Sequence, residues 1–478
     1  MTAESTLLGQ VTASFVTRAR NSFLKVLEIA VRICRKSIEV GALSSLVGLM
    51  LITGCRESTK SGTTAQQKAA PESSADTVQT PAFLSEDPQA VAALEKVGFI
   101  FKRNSDGVIT DFSIASQDDI SASLVHLSGL PNVQTAIFTG PGILDSGMSA
   151  ITSLSKLKRL DLTDSAVGSE TLKAAGELKA LEALFLRRAP VKDEDLALIT
   201  SLPKLRALDL RNSNVSDAGM VHVAKIKTLA DVQLEKSKVT DAGLAELKGL
   251  PLKSLNVNYC TTISDASMPM LGAMQTLESI QMDATKLTDK GMASVAGLEN
   301  LRRLRIRDTD VTGEGFKHIE KLNKLERLEL RGTSLDDAGL EVISKLPAVN
   351  YLDIAECRLA TSEGMQKLAA LDKLTYLGFW ETKFDDAAME AISGLKNLQE
   401  LDLKATAISD ASVPSLTKLT SLRRLNLSGT QLSNESFREI AKLPNLELLV
   451  VANTRIGFDV LDELSAEKPS LKVIDYEE

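Results

Sequence analysis

The sequence predicts an α/β solenoid, in which one short strand per turn stacks in parallel on the last and a short helical segment returns the chain to the start. Three observations predict it. A motif near 24 residues long recurs from residue 109 to the end of the 478-residue chain. Within each copy, apolar residues first alternate at the period of a strand and then fall at the spacing of a helical turn. The composition suits a core of aliphatic side chains, with 44% apolar residues but only 4% aromatic, including one Trp and four Tyr. Lys+Arg 55 against Asp+Glu 63 leaves a net charge of −8, which argues against a nucleic-acid binder. Four cysteines in so long a chain do not form a disulfide scaffold.

The elements follow in chain order. An uncharged, mostly apolar run of 13 residues, Val40 to Ile52, follows Arg32, Arg35 and Lys36 and ends in Thr53-Gly54-Cys55. A bilayer-spanning helix needs about 20 residues, so this run is too short to be one. Small residues ahead of a cysteine, directly after an apolar run, resemble the lipobox of bacterial lipoproteins. The resemblance implies a signal peptide over 1–54, diacylglyceryl transfer to the Cys55 thiol, cleavage before it, and a mature chain held in the membrane by its lipid. The stretch ahead of the apolar run is longer than the pattern, and an internal start at Val31 would restore the usual length. Arg56 stands where inner-membrane lipoproteins of some bacteria carry Asp, which points to the periplasmic side of the outer membrane.

Residues 55–81 contain no aromatic and a single Val, so they predict a flexible tether spanning about 30 Å. Residues 82–108 read as a cap. Asp87-Pro88 is a helix start for the apolar face Val91, Leu94 and Val97. A turn at Asn104-Ser105-Asp106-Gly107 joins Phe99-Ile100-Phe101 to Ile109 as a hairpin.

The array fills 109–478. LKRLDLTDSAV from Leu157, LEALFLRRAPV from Leu181, LRALDLRNSNV from Leu205 and LRRLRIRDTDV from Leu301 share apolar positions 1, 4, 6 and 11. The template recurs at Leu229, Leu252, Leu277, Leu325, Val349, Leu374, Leu398, Leu422 and Leu446. Degenerate copies at Ile109, Val133 and Leu471 bring the total to sixteen strand positions. This resembles the leucine-rich-repeat family. The resemblance implies a right-handed superhelix with a concave parallel sheet, short convex helices and a recognition role. Position 9 holds Ser, Thr or, twice, Cys, and the units of Cys260 and Cys357 are similar to the cysteine-containing class found in F-box adaptors. Both cysteines read as small buried fillers. A Ser/Thr-Asp pair opens each helical half, so Asp217, Asp241, Asp265, Asp289, Asp337, Asp386 and Asp410 read as helix-capping groups rather than calcium ligands.

No catalytic constellation emerges. His126, His222 and His318 fall in the helical halves of distant units, where they cannot converge on a metal or a nucleophile. No phosphate-binding loop or dinucleotide fingerprint is present, and neither a cofactor nor a metal is expected. Positions 3, 5 and 7 of each strand remain, and they form the predicted binding face. One region stands apart: Arg303, Arg305 and Arg307, then Arg327, Glu329 and Arg331, then Tyr351 and Asp353, then Tyr376 and Trp380. Folding alone gives no reason to place the only Trp and two of four Tyr on adjacent exposed positions, and Arg, Tyr and Trp dominate interface hot spots. A second patch comprises Phe185, Arg187, Arg188 and Arg211, with Tyr259 nearby, and suits an acidic or glycan-bearing partner. The favoured function is a lipid-anchored envelope protein that binds a protein partner through this face. The alternatives are a self-associating structural component of the envelope and, more distantly, an F-box-like adaptor.

Overall fold

The computed structural model describes residues 84–476. The leader, the lipidation site Cys55 and the tether through Pro81 that the sequence predicts lie outside the described residues. Helix α1 (Pro88–Lys96) starts where Asp87 accepts the N–H of Gln89 at 2.9 Å, with Pro in its first turn. Its buried face is Ala90 and Leu94, with Val91 partly covered, while Val97 sits at the C-cap and is exposed. The close approach of α1 to Gly129 explains the glycine, because a Cβ there would lie 2.4 Å from that of Ala90. Strand β1 (Ile100–Arg103) pairs antiparallel with β2 (Ile109–Ala115) across a turn in which Asn104 Oδ1 accepts the N–H groups of Asp106 and Val108.

From β2 onwards each strand pairs in parallel with the next, so sixteen parallel strands and β1 make one seventeen-stranded sheet. The last strand is Lys472–Ile474, which follows a helix over Phe458–Glu467 whose Phe458 is 83% exposed. Positions 4 and 6 point inward along the array. Leu160 and Leu162, Leu304 and Ile306, and Leu401 and Leu403 are all buried, together with the position-11 residues Val167, Val239 and Val311. Each such side chain contributes about 1.5–3 kcal/mol when removed from water, and no unit can bury its own face without the next.

Three further regularities hold the turns together. Position 8 has φ between 52° and 69° in thirteen successive units, from Asp164 to Asn453, and only Gly332 and Gly429 are glycine. The left-handed turn directs the N–H of this residue to the position-7 carbonyl of the next unit, as from Tyr259 to Asp283 at 2.7 Å, which extends the ladder past the strand. Position 9 then donates its hydroxyl back to position 6, as from Thr285 to the Met282 carbonyl at 2.8 Å. Cys260 and Cys357 take the same place but donate to the preceding unit, to the carbonyls of Leu234 and Leu330, each at 3.2 Å. Burial pushes both thiols up, that of Cys357 to about 12, so both stay protonated and unreactive.

The third regularity corrects the expectation for the aspartates. Where a side chain caps a helical half it is mostly the Ser or Thr in front, as where Thr240 accepts the N–H of Ala242. The carboxylate behind it reaches forward one unit and accepts both the N–H and the hydroxyl of the next cap residue. Asp217 holds Thr240 at 2.7 and 2.6 Å, and Asp289 holds Thr312 at 2.8 and 2.7 Å. Asp193, Asp241, Asp265, Asp337 and Asp386 repeat this, and Asp410 holds Ser433 and Ser436. Three rungs are inverted. Ser169 donates to Asp195 of the next unit, whose other oxygen accepts the N–H of Lys192. Where the cap is Asp336, the preceding unit offers Gly313, whose Cβ would lie 2.0 Å from Asp336 Oδ1. Where the cap is Asp385, the preceding unit offers Ser362, which donates to it. Carboxylate never faces carboxylate in these rungs.

Candidate functional site

Positions 3, 5 and 7 form three columns across the sheet face, because neighbouring strands pair in register: Arg303 with Arg327, Arg327 with Tyr351, and Tyr351 with Tyr376. Part of the polar content of this face has a local cause. A position-5 Asp or Asn accepts the N–H two residues on, as Asp161 does from Thr163, Asp209 from Arg211, Asp353 from Ala355 and Asp402 from Lys404.

The sequence places Arg303, Arg305, Arg307, Arg327 and Arg331 on adjacent strands beside Glu329, and the structure brings them together and neutralises them. Asp283, fully buried, receives Arg305 at 2.6 Å and Arg307 at 2.8 Å. Glu329 receives Arg303 at 2.7 Å, Arg327 at 2.5 Å and Arg305 at 3.7 Å, and Arg331 pairs with Glu356 at 2.6 Å. Burial raises the Glu329 carboxyl, but the guanidinium of Arg303, followed by those of Arg327 and Arg305, outweighs it, so its pKa ends below the usual range. Burial also lowers Arg303, which Glu329 offsets only in part.

The aromatic residues are half-buried rather than exposed, because they pack across strands. The rings of Tyr351 and Tyr376 stack at 4.0 Å and 4°, with the Arg327 guanidinium 3.5 Å above Tyr351. Arg331 and Lys404 lie over Trp380 at 4.5 and 5.0 Å. The Trp380 Nε1 is shielded and has no hydrogen-bond partner. Gly378 leaves the floor between Asp353 and Asp402 bare, and a Cβ there would lie 3.0 Å from Tyr376 Oη. Burial raises the carboxyls of Asp353 and Asp402 and the phenols of Tyr351 and Tyr376. A shallow hollow of about 140 Å³ adjoins Tyr376, lined by Glu400, Asp402, Arg424 and Asn426 among others.

The second patch is likewise dispersed. The Arg159 guanidinium covers the ring of Phe185 at 3.8 Å, Arg188 pairs with Asp164, and Arg211 pairs with Asp209 at 2.6 Å. Tyr259, three strands from Phe185 and therefore about 14 Å away, packs on Lys236 and not with this group. Arg187 stands apart from its neighbours because its buried Nε has no partner. The substitution of Phe185 for the position-5 carboxylate was the signal in the sequence. Among the described residues no cluster of metal-ligating side chains occurs, and no helix is long and apolar enough to cross a membrane.

Residues 142–358 match the family described as leucine-rich repeat region, and residues 372–432 the one described as leucine rich repeat. The domain is a leucine-rich-repeat solenoid. No curated protein matches the sequence. Among solved structures, the ectodomain of the Arabidopsis receptor kinase HAESA, in complex with a peptide hormone, is 16% identical with a TM-score of 0.50, over 82% of this chain and 77% of that one. A Leptospira interrogans leucine-rich-repeat protein is 19% identical over 73% and 91% of the two chains, with a TM-score of 0.48. An internalin from Listeria monocytogenes is 17% identical over 76% and 94%, with a TM-score of 0.46. At these identities the likeness concerns the fold.

Proposed function

We propose that this leucine-rich-repeat protein is an exported, lipid-anchored binding protein of the cell envelope, whose sheet face holds a protein or peptide partner at Tyr351, Tyr376 and Trp380. The observation that carries the reading is Trp380: the only indole in the chain stands half-exposed on the sheet face with a shielded N–H that no acceptor meets. A half-exposed indole beside a stacked tyrosine pair is a place where a partner buries favourable area against aromatic rings. The paired arginines hold the aromatic rings in place and frame them, so recognition rests on shape and stacking rather than on net positive charge. The HAESA ectodomain, of similar fold, is in complex with a peptide hormone, which supports a peptide or protein as the partner here. The lipobox-like Thr53-Gly54-Cys55 supports anchoring at Cys55, and Arg56 supports the periplasmic side of the outer membrane. A binding role, not catalysis, fits a face made of stacked rings and ion pairs.

The test is affinity capture from solubilised envelope with the full-length chain beside a Tyr376→Ala/Trp380→Ala variant whose circular dichroism matches the parent. A partner held by the parent and lost by the variant places the interface. Equal capture by both refutes the site. Mass spectrometry of the N-terminal peptide checks the anchor, which requires a diacylglyceryl-modified Cys55.

A further inference from the structure

Arginines on this sheet face meet carboxylates through one edge of the guanidinium, Nε with Nη2. Arg188 does so with Asp164, Arg211 with Asp209 and Arg307 with Asp283, as does Arg331 with Glu356. Arg187 has the same edge and no carboxylate on it. Its side chain is half-buried, and Nε is shielded from solvent without a hydrogen-bond partner. The cause is local. Two residues before Arg211 the chain has Asp209, whereas two residues before Arg187 it has Phe185, which lies in register between Asp161 and Asp209. The nearby carboxylates are already engaged, Asp161 by Arg159, Asp164 by Arg188 and Asp209 by Arg211. Four guanidiniums therefore share three carboxylates. Glu235, the next acid in the same column, is two strands from Arg187, about 10 Å away.

We propose that Arg187 is a docking point for a carboxylate carried by an Asp or Glu side chain of a protein partner. The site is short of one singly charged, planar acceptor, which a carboxylate supplies; with Nε shielded, it meets the two Nη groups at the open end of the guanidinium. A phosphorylated glycan fits less well, since Asp164, Asp209 and Glu235 surround the position and repel its second negative charge, and a sulfate ester, though singly charged, is tetrahedral rather than planar. This site stands apart from the aromatic one. Eight strands, about 38 Å, separate Arg187 from Trp380, so either reading survives the failure of the other.

The test is isothermal titration calorimetry of the full-length chain at low ionic strength with tetraglutamate, and with tetraglutamine as the uncharged counterpart. Three variants accompany the parent: Arg187→Gln, Arg187→Lys and Arg455→Gln, the last an exposed arginine far along the array. The expected result is tetraglutamate binding that weakens about tenfold in Arg187→Gln, the scale of one charge-assisted bidentate pair, and is unchanged in Arg455→Gln. Arg187→Lys should recover little, because it restores the charge without the fork. Thermal melts of Arg187→Gln should match the parent, since the native side chain gives up no ion pair. Equal tetraglutamate affinity in the parent and Arg187→Gln overturns the proposal. So does a parent that ignores tetraglutamate, or one that binds a sulfated disaccharide in its place.

Discussion

The aspartate ladder along the helix starts and the aromatic cluster on the sheet face are both polar, partly buried and held by neighbouring units, yet they carry different information. The ladder is periodic. Asp217, Asp241, Asp265 and Asp289 meet the same two donors at the same distances, unit after unit, and where one rung changes its partner changes too, as at Gly313 and Asp336. The sheet face is aperiodic. Tyr351, Tyr376 and Trp380 answer to nothing that the other units require, and Trp380 keeps a donor unmet. In a solenoid, repetition marks what stacking needs, and departure from it marks what is left for a partner.

The largest effect should come from breaking the complementarity of one rung. Gly313→Asp sets a second carboxylate against Asp336 and should cost about 3 kcal/mol or more, read as a fall in the denaturant midpoint. Adding Asp336→Thr rebuilds an ordinary rung and should recover most of the loss. Without that recovery, the pairing rule is wrong. Removing a normal rung is milder. Asp289→Ala strands the N–H and hydroxyl of Thr312 and the N–H of Gly315, a loss of about 2 kcal/mol by the same measurement.

Next in size is a contrast within the sheet face. Asp353 has a raised folded pKa, so its ionised form is disfavoured by the fold, and that penalty is present above the folded pKa and relieved as pH falls through it. Asp353→Asn keeps the acceptor for Ala355 and should add about 1 kcal/mol near pH 7, with the gain fading in acid. Glu329 has the opposite sign. Its lowered pKa gives stability that is present above the unfolded value and lost as pH falls through the folded one, so Glu329→Gln should destabilise at neutral pH and converge on the parent in acid. Urea midpoints measured across the acid range separate the two, and parallel profiles would contradict both assignments. The smallest effect is at position 8: Ala405→Gly relieves a left-handed alanine and should raise the midpoint by about 0.5 kcal/mol, net of the greater freedom of the unfolded chain.

Much of the fold was legible in the residues themselves. Leu160 and Leu162 or Leu304 and Ile306 declare a buried strand face by their alternation, and Asn104 to Gly107 declares the hairpin that precedes the array. What escaped are interactions between units. A Ser/Thr-Asp pair looks complete locally, so the sequence points to capping, whereas the residue each aspartate holds lies 23 or 24 positions on. Likewise two of the carboxylates that neutralise the arginines lie in other units, Asp283 22 residues before Arg305 and Glu356 25 after Arg331. Tyr351 and Tyr376 were correctly placed on adjacent strands, but their stacking, and hence their burial, depends on rotamers that alternation does not fix.

The two ends of the sheet also differ in how the chain would come apart. At the start, α1 and an antiparallel hairpin clasp the first turn, while at the other end a three-residue strand, Lys472–Ile474, has a neighbour on one side only among the described residues. Nearly every stabilising contact joins residues about one turn apart, so opening needs no concerted step and can travel inward like a zipper, one unit at a time, from the C-terminal edge. Amide exchange should therefore run as a clock along the sequence, fastest near Ile474 and slowest towards the middle of the array, and a protease trimming from that edge would leave a nested series of shorter solenoids.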